Sequence, residues 1–530
     1  MAARAGQPEV TMSKRILLPL CLLCLAALAC RFGAPPPSTP TPTANTSSGG
    51  GGGSFGGGGQ PSGELQACLL RPPALSAADG PAQPGAQGLG DPYFPQLGNG
   101  GYDVQHYDIE LSVDLALRQL DGRVRIEAIA TQALSQFNLE LAGLQLDRLQ
   151  VQDQPAQFSR EGVELRITPA QPIAAGEAFT VLVEYHGSPG EGIDYSNMNE
   201  FEVGWGWYPD GEGAYVAAEP SGNSSWMPLN DHPADKATYS YAITVAKPYL
   251  AAANGVLQDA TDNGDTRTFI WNSAYPMASY LATVGIGRFD VEARTGPEGL
   301  LIRNYFEHDI PPETRQNFER LGEMVALFND LVGPYPFEAA GVIVHDVDFG
   351  FALETQTMSV FGSGFTDEYV VAHELAHQWF GDSIGLTCWQ DLWLNEGFAT
   401  YLSALWNEHA YGAQALEDEM RSYYMQVALS GEYAAVPGHP GPGDLFNFGV
   451  YYRGALALHA LRQRVGDEAF FAILQSYYER FRDSNAQTAD FVAVAAEVSG
   501  QPLQDFFDAW LYAEAMPDIP EMGLYLADYQ

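Results

Sequence analysis

Two periodicities divide this 530-residue chain and predict a multidomain α+β fold, a β-sandwich-like domain first and a mostly helical domain after it. From about Gly101 apolar and polar residues alternate, as in Tyr107, Ile109, Leu111, Val113 and Leu115. Val124/Ile126, Phe137/Leu139/Leu141, Val163/Leu165/Ile167, Val181/Val183/Tyr185 and Tyr239/Tyr241/Ile243/Val245 continue the pattern, with Gly, Pro and Asp turns between them. Short half-buried strands of this kind stack into a sandwich, here spanning residues 91–289. From residue 290 to 530 the spacing lengthens: Phe318, Leu321, Val325 and Phe328 follow a helical period between Pro311-Pro312 and Gly333-Pro334. One or two strands are expected near Val342–Val344 and Thr355–Phe361. Helices are expected over Glu368–Phe380, Leu392–Ala404, Ala415–Leu429, Arg453–Val465 and Phe506–Tyr512, each with an apolar face.

The first 90 residues do not belong to this core. Lys14 and Arg15 precede an apolar run from Ile16 to Ala29, the pattern of a secretory signal over residues 1–30. The run falls short of the roughly 20 residues that span a bilayer. Cys30 stands where bacterial lipoproteins carry their lipid, although Ala27 occupies the place usually held by leucine. Residues 31–90 open with Pro/Ser/Thr and then Gly-rich sequence and read as a flexible tether. An exported protein at the cell surface or outside it, membrane-anchored through Cys30, is therefore expected. The formal net charge of −41 repels other polyanions and excludes nucleic acid as a partner. Cys68 and Cys388 are the cysteines outside the signal segment, too few for a disulfide framework. Two unpaired thiols are expected of them, with a single bridge open in an oxidising compartment.

Chemistry concentrates in His373-Glu374-Leu375-Ala376-His377, an H-E-x-x-H pattern inside a helical stretch. Residues four apart share a helix face, so both imidazoles reach one ion. Zinc takes nitrogen and oxygen ligands and, when catalytic, keeps one position open for water. Glu396, on the next helical segment, is the candidate third ligand, so His373, His377 and Glu396 form the expected site for one Zn2+ per chain. Glu374 falls beside the ion, placed to take a proton from water. His106, His186, His232, His308, His345, His409, His439 and His459 have no ligand-like spacing to one another and read as surface or core residues.

Val371–Leu402, with its Trp-Leu-Asn-Glu-Gly-Phe-Ala segment around Glu396, resembles the aminopeptidase N family of zinc metallopeptidases, which includes the leukotriene-epoxide hydrolase. Glu219-Pro220, Trp226, Pro228, Asn230-Asp231 and Asp235-Lys236-Ala237-Thr238 resemble the same family's N-terminal β domain, and Pro276-Met277 with Tyr280-Leu281 the strand before its domain boundary. The resemblance implies a thermolysin-like catalytic domain and a metalloaminopeptidase that removes the N-terminal residue of peptides through a zinc-activated water. It also implies roles: Tyr451, rather than its neighbour Tyr452, as donor to the oxyanion; Ala352 and Leu353 as the strand that pairs with substrate; Glu354 and Glu219 as acids for the free ammonium group. Phe351 and Thr355 depart from the family's Gly-Ala-Met-Glu-Asn pattern, which puts the shape of the first side-chain pocket in question. Asp391 has two readings, a carboxylate that orients a zinc histidine or a helix cap. The competing functions are an endopeptidase, an epoxide hydrolase, and an inactive binding protein on the same scaffold.

Overall fold

The computed structural model describes Cys68 and residues 81–529, apart from 191–205, 212, 432–433 and 435. The signal segment, Cys30 and the tether up to residue 80 lie outside the described residues, except Cys68. Residues 81–90, read as tether, are laid on the body instead: Gln83–Pro84 pairs in parallel with Leu134–Glu140. Polar groups make that contact, Gln83 N donating to Ala133 O, Gly85 N to Gln136 O and Gln132 Nε2 to Pro84 O, so no apolar pattern announces it.

The alternating segments form the expected sheets. An eight-stranded mixed sheet has at its centre Ala237–Ala246, Tyr102–Asp114 and Gln119–Ala130. Every second side chain of Ala237–Ala246 is buried, which fixes register because a one-residue slip would turn Tyr239, Tyr241 and Ile243 to the other face. Tyr107 and Tyr239, directly opposite across the parallel pair, stack at 4.9 Å. A smaller sheet built on Leu134–Glu140 and Glu164–Thr168 contributes Phe137, Leu139, Leu165 and Ile167 to the same buried core. A third sheet, of Gly206–Asp210, Gly213–Ala217, Val284–Gly287 and Leu250–Ala253, leads into the segment that carries Glu219.

Beyond Phe289 comes a five-stranded sheet in the order Phe289–Thr295, Leu301–Glu307, Ala339–His345, Ser359–Gly362, Ala352–Leu353. The last of these is an edge strand, paired on one side only, through Ala352 opposite Phe361 and Leu353 opposite Val360. The helices follow: Glu368–Ala376, Trp393–Tyr411, Ala413–Ser430, Gly454–Val465 and Gln504–Leu511 match the five expected within a turn or two. Asp467–Phe481 and Thr488–Ser499 are further helices, each with a buried apolar face. No helix among the described residues is long and apolar enough to cross a membrane.

Cys68 and Cys388 are joined as a disulfide, correcting the expectation of two unpaired thiols. Their Cα atoms lie 6.1 Å apart, within bridging reach, but a separation of 320 residues hides that proximity from the sequence. The two domains are also tied by Lys236, whose ammonium donates to the backbone carbonyls of Asp382, Ser383 and Ser484.

Candidate active site

The helix Glu368–Ala376 starts where it does because the Asp367 carboxylate accepts from the backbone N–H groups of Tyr369 and Val370. Four residues apart on it and on its final turn, His373 and His377 bring their Nε2 atoms to 3.0 Å from each other. Glu396, in the first turn of the buried helix Trp393–Tyr411, closes a triangle: its Oε2 is 3.2 Å from His373 Nε2 and 3.4 Å from His377 Nε2. Ligands about 2.0–2.1 Å from a tetrahedral zinc stand about 3.3 Å from one another, so the triangle fits that ion. His377 Nδ1 lies 3.1 Å from Phe380 O, and donating there leaves the Nε2 lone pair free for a metal. Burial works against it, but the charge of His377 when protonated, with hydrogen bonds from both histidine rings, holds the Glu396 carboxyl down to about 2.

Glu374 shares this pocket, with Glu354 and His377 donors within 4.8 Å. Burial pushes its carboxyl well above the usual range, and Glu354 and Glu396 add to the shift. Glu354 directly follows the edge strand, and burial and Glu396 raise its carboxyl. Its Oε1 accepts from Tyr280 OH at 3.1 Å, and Tyr280 in turn accepts from Asn395 Nδ2 at 3.3 Å. Glu219 reaches in from the β domain, raised by burial and by Glu354. Its Oε1 is buried with no hydrogen-bond partner among the described residues. Ala352 and Leu353 lie on the open edge of the sheet, with Leu353 buried and Ala352 half-buried.

Tyr451 and Tyr452 part ways. The Tyr451 ring lies parallel to the His373 ring at 6.0 Å, whereas Tyr452 is stacked into the core against Tyr423 at 4.6 Å and Phe448 at 5.6 Å. Tyr451 sits on a widened π turn, Gly449–Arg453, which precedes the expected helix and aims it at the metal triangle. Close approach of this element to the Glu396 helix depends on two glycines: a Cβ on Gly397 would meet Gly454 Cα at 3.0 Å. Arg453 is a structural residue, capping the end of Gln504–Leu511 through the carbonyls of Ala509, Trp510 and Ala513.

Asp391 does not touch a zinc histidine. Its Oδ1 accepts from Thr488 Oγ1 at 2.6 Å, because the turn Trp389–Asp391 directs it toward the helix that Thr488 begins. The sequence reading passed over three side chains that shape the site. Gln378 bridges Glu354 O and Thr357 N, holding the edge strand to the metal helix. Tyr280, noted only as part of a strand, lies in the short turn Ser279–Leu281 and grips Glu354. Asp382 is a further fully buried acid beside Glu354, His377 and Lys236. Gln378 was the most accessible of these, since it directly follows the second motif histidine.

Comparison with known proteins meets this geometry from outside. The model for the peptidase M1 N-terminal domain matches residues 103–281, and the model for the peptidase family M1 domain matches residues 353–510. An M1 zinc metallopeptidase from Deinococcus radiodurans superposes with a TM-score of 0.75 and 30% identity, covering 82% of this chain and 99% of that one. A mutant of the same enzyme, bound to a Tyr-Ser-Ala substrate, gives a TM-score of 0.76. Among curated relatives, Aminopeptidase M1-A of Oryza sativa subsp. japonica is 26% identical over 458 residues, 78% of this chain and 50% of the relative. Glutamyl aminopeptidase of Sus scrofa is 26% identical over 451 residues, 76% of this chain and 46% of the relative. The chain thus spans about half the length of the curated relatives it matches.

Proposed function

The chain belongs to the M1 family of zinc metallopeptidases, and on that premise we propose that it is an exported aminopeptidase that removes one residue at a time from the free N-terminus of peptides. The observation that carries the reading is Glu219: a carboxylate oxygen, buried and unpartnered among the described residues, beside a second buried acid, Glu354. A substrate ammonium group supplies the missing donor and charge. The curated relatives are named aminopeptidases, which agrees with this reading.

In this proposal His373, His377 and Glu396 hold the zinc. Bound zinc supplies Lewis acidity, polarising the scissile carbonyl and making water acidic enough to be used at neutral pH. Glu374 takes the proton from the attacking water and returns it to the leaving amine, a use suited to a carboxyl that burial has made more basic. Tyr451 donates its phenol hydrogen to the oxyanion that develops on the carbonyl oxygen. The peptide lies along Ala352–Leu353 as an added strand, which an open edge permits. Glu354 and Glu219 clamp its ammonium group and leave no path for a chain continuing past it, so the cut falls after the first residue.

A peptide and its N-acetylated twin test the reading. Acetylation removes the charge, so cleavage should nearly vanish, and Glu354→Ala should raise KM for the free peptide by about ten- to a hundredfold, the worth of one charge-assisted hydrogen bond. Comparable cleavage of both peptides, or internal fragments by mass spectrometry, would make the protein an endopeptidase.

Location belongs to the same proposal. The signal-like start, Cys30 and the Cys68–Cys388 disulfide agree with an oxidising compartment outside the cytoplasm, with the protein lipid-anchored at Cys30. Cys30→Ser should release the enzyme from the membrane fraction. Unchanged membrane recovery, with no lipid mass on Cys30, would end the anchor proposal.

A further inference from the structure

Away from the zinc triangle, three strand ends converge on one buried spot. Asp210 closes Gly206–Asp210, Glu307 closes Leu301–Glu307, and His345 closes the neighbouring parallel strand Ala339–His345. His345 Nδ1 lies 2.9 Å from Asp210 Oδ2 and 3.6 Å from Glu307 Oε1, with all three ligand-type atoms within 4.8 Å of one another. His345 is wholly buried, Asp210 is buried, and the Glu307 side chain is only 16% exposed. Gly287 keeps the spot open: a Cβ there would stand 2.7 Å from Glu307 Oε1.

The charges at this spot do not balance. Asp309 and Asp346 act electrostatically on the same region, and among the described residues no lysine or arginine forms an ion pair with Asp210 or Glu307. A protonated His345 would supply one positive charge against two facing carboxylates. One divalent ion between Nδ1 and the two carboxylates neutralises both acids. Bound through Nδ1, the ring carries its single proton on Nε2, which has no hydrogen-bond partner in the described structure.

We propose that Asp210, Glu307 and His345 form a second metal site, separate from the zinc triangle, for a divalent ion that accepts mixed nitrogen and carboxylate ligands, such as Zn2+ or Mn2+. Its place in the fold gives it a structural task. Residues 346–351 run from His345 to the edge strand Ala352–Leu353, while the hairpin that contains Asp210 runs on to Glu219. The same two segments already touch through Tyr215 and Phe349, stacked at 4.5 Å. An ion at their base clasps together the chain segments leading to Glu219 and Glu354. The clasp rests on the aminopeptidase reading; the metal site does not.

The test strips the full chain with chelator, equilibrates it with Zn2+ alone at tens of micromolar free ion, and counts bound metal by mass spectrometry. The wild-type chain should hold two ions. Asp210→Asn and Glu307→Gln should each hold one, with the second weakened by at least about tenfold, a loss that even a ligand's supporting partners produce. Glu307 is the most solvent-exposed of the three, so Glu307→Gln decides the matter if Asp210→Asn does not melt cooperatively. One ion per wild-type chain, or two in a folded Glu307→Gln, would overturn the site and show an ion triad of His345 with its carboxylates. Hydrogen exchange over residues 346–351 should slow when the second equivalent binds to the wild type and not in the variants. Unchanged exchange would overturn the clasp. Neither result touches the zinc triangle, whose ion remains bound in both variants.

Discussion

The metal end of the cleft is made by two packed helices, whereas the end proposed to receive the substrate amine is made by a strand edge, a β-domain segment and Tyr280. His373, His377 and Glu396 come from elements that stand next to each other in the chain, and a helix fixes two of the three by its own geometry. Glu354 and Glu219 come from different domains, and Glu354 depends on Tyr280 and Gln378 for its position. Helical geometry therefore makes the metal site tolerant of changes elsewhere.

Mutations at the metal end should act most strongly and leave the amine end readable. Glu374→Gln should keep the zinc and lower kcat by about a hundred- to ten-thousandfold, the range for loss of a general base. His377→Ala should instead lose zinc and activity together. Metal analysis beside turnover separates the two, and a Glu374→Gln enzyme with near-normal kcat would cancel its assigned role. Next in size, Tyr451→Phe should lower kcat by about a hundred- to a thousandfold with KM little changed, because the phenol acts on charge that exists only in the transition state. Tyr452→Phe is the control, and an equal loss there would reverse the choice between the neighbours. Smallest is Gly454→Ala. The added methyl must part the Glu396 and Tyr451 elements, costing about 1–3 kcal/mol of stability by overpacking. A melting curve should record that loss, and an unchanged Tm would mean that the two helices are free to separate.

The same contrast explains what the sequence disclosed. H-E-x-x-H is a statement about one helix face, so His373, Glu374 and His377 were legible from spacing, and alternation exposed the strands because each has one buried face. Tyr451, Glu219, Ala352, Leu353 and Glu354 were reachable only through family resemblance, since no local rule links residue 219 to residue 354. Asp391 stayed open between two readings because a carboxylate just before a ligand-bearing helix has two directions to point, and Thr488, 97 residues on, decides between them. The Cys68–Cys388 bond and the convergence of Asp210, Glu307 and His345 lie further out of reach. Each is created by the folding together of segments with no shared pattern.

The disulfide also sets a path for mechanical load. A pull arriving along the chain from the N-terminal side reaches Cys68 and passes through the sulfur bridge to Cys388, which is wholly buried. Next to that point the Trp389 amide donates to Asp91, so the segment is fastened a second time at the same place. Tension thus enters beside the root of the helix that carries Glu396, bypassing the two-residue strand Gln83–Pro84, whose few backbone hydrogen bonds would otherwise peel one by one. A catalytic body held by its N-terminus would take the load beside the Glu396 helix, with Gln83–Pro84 outside the loaded path.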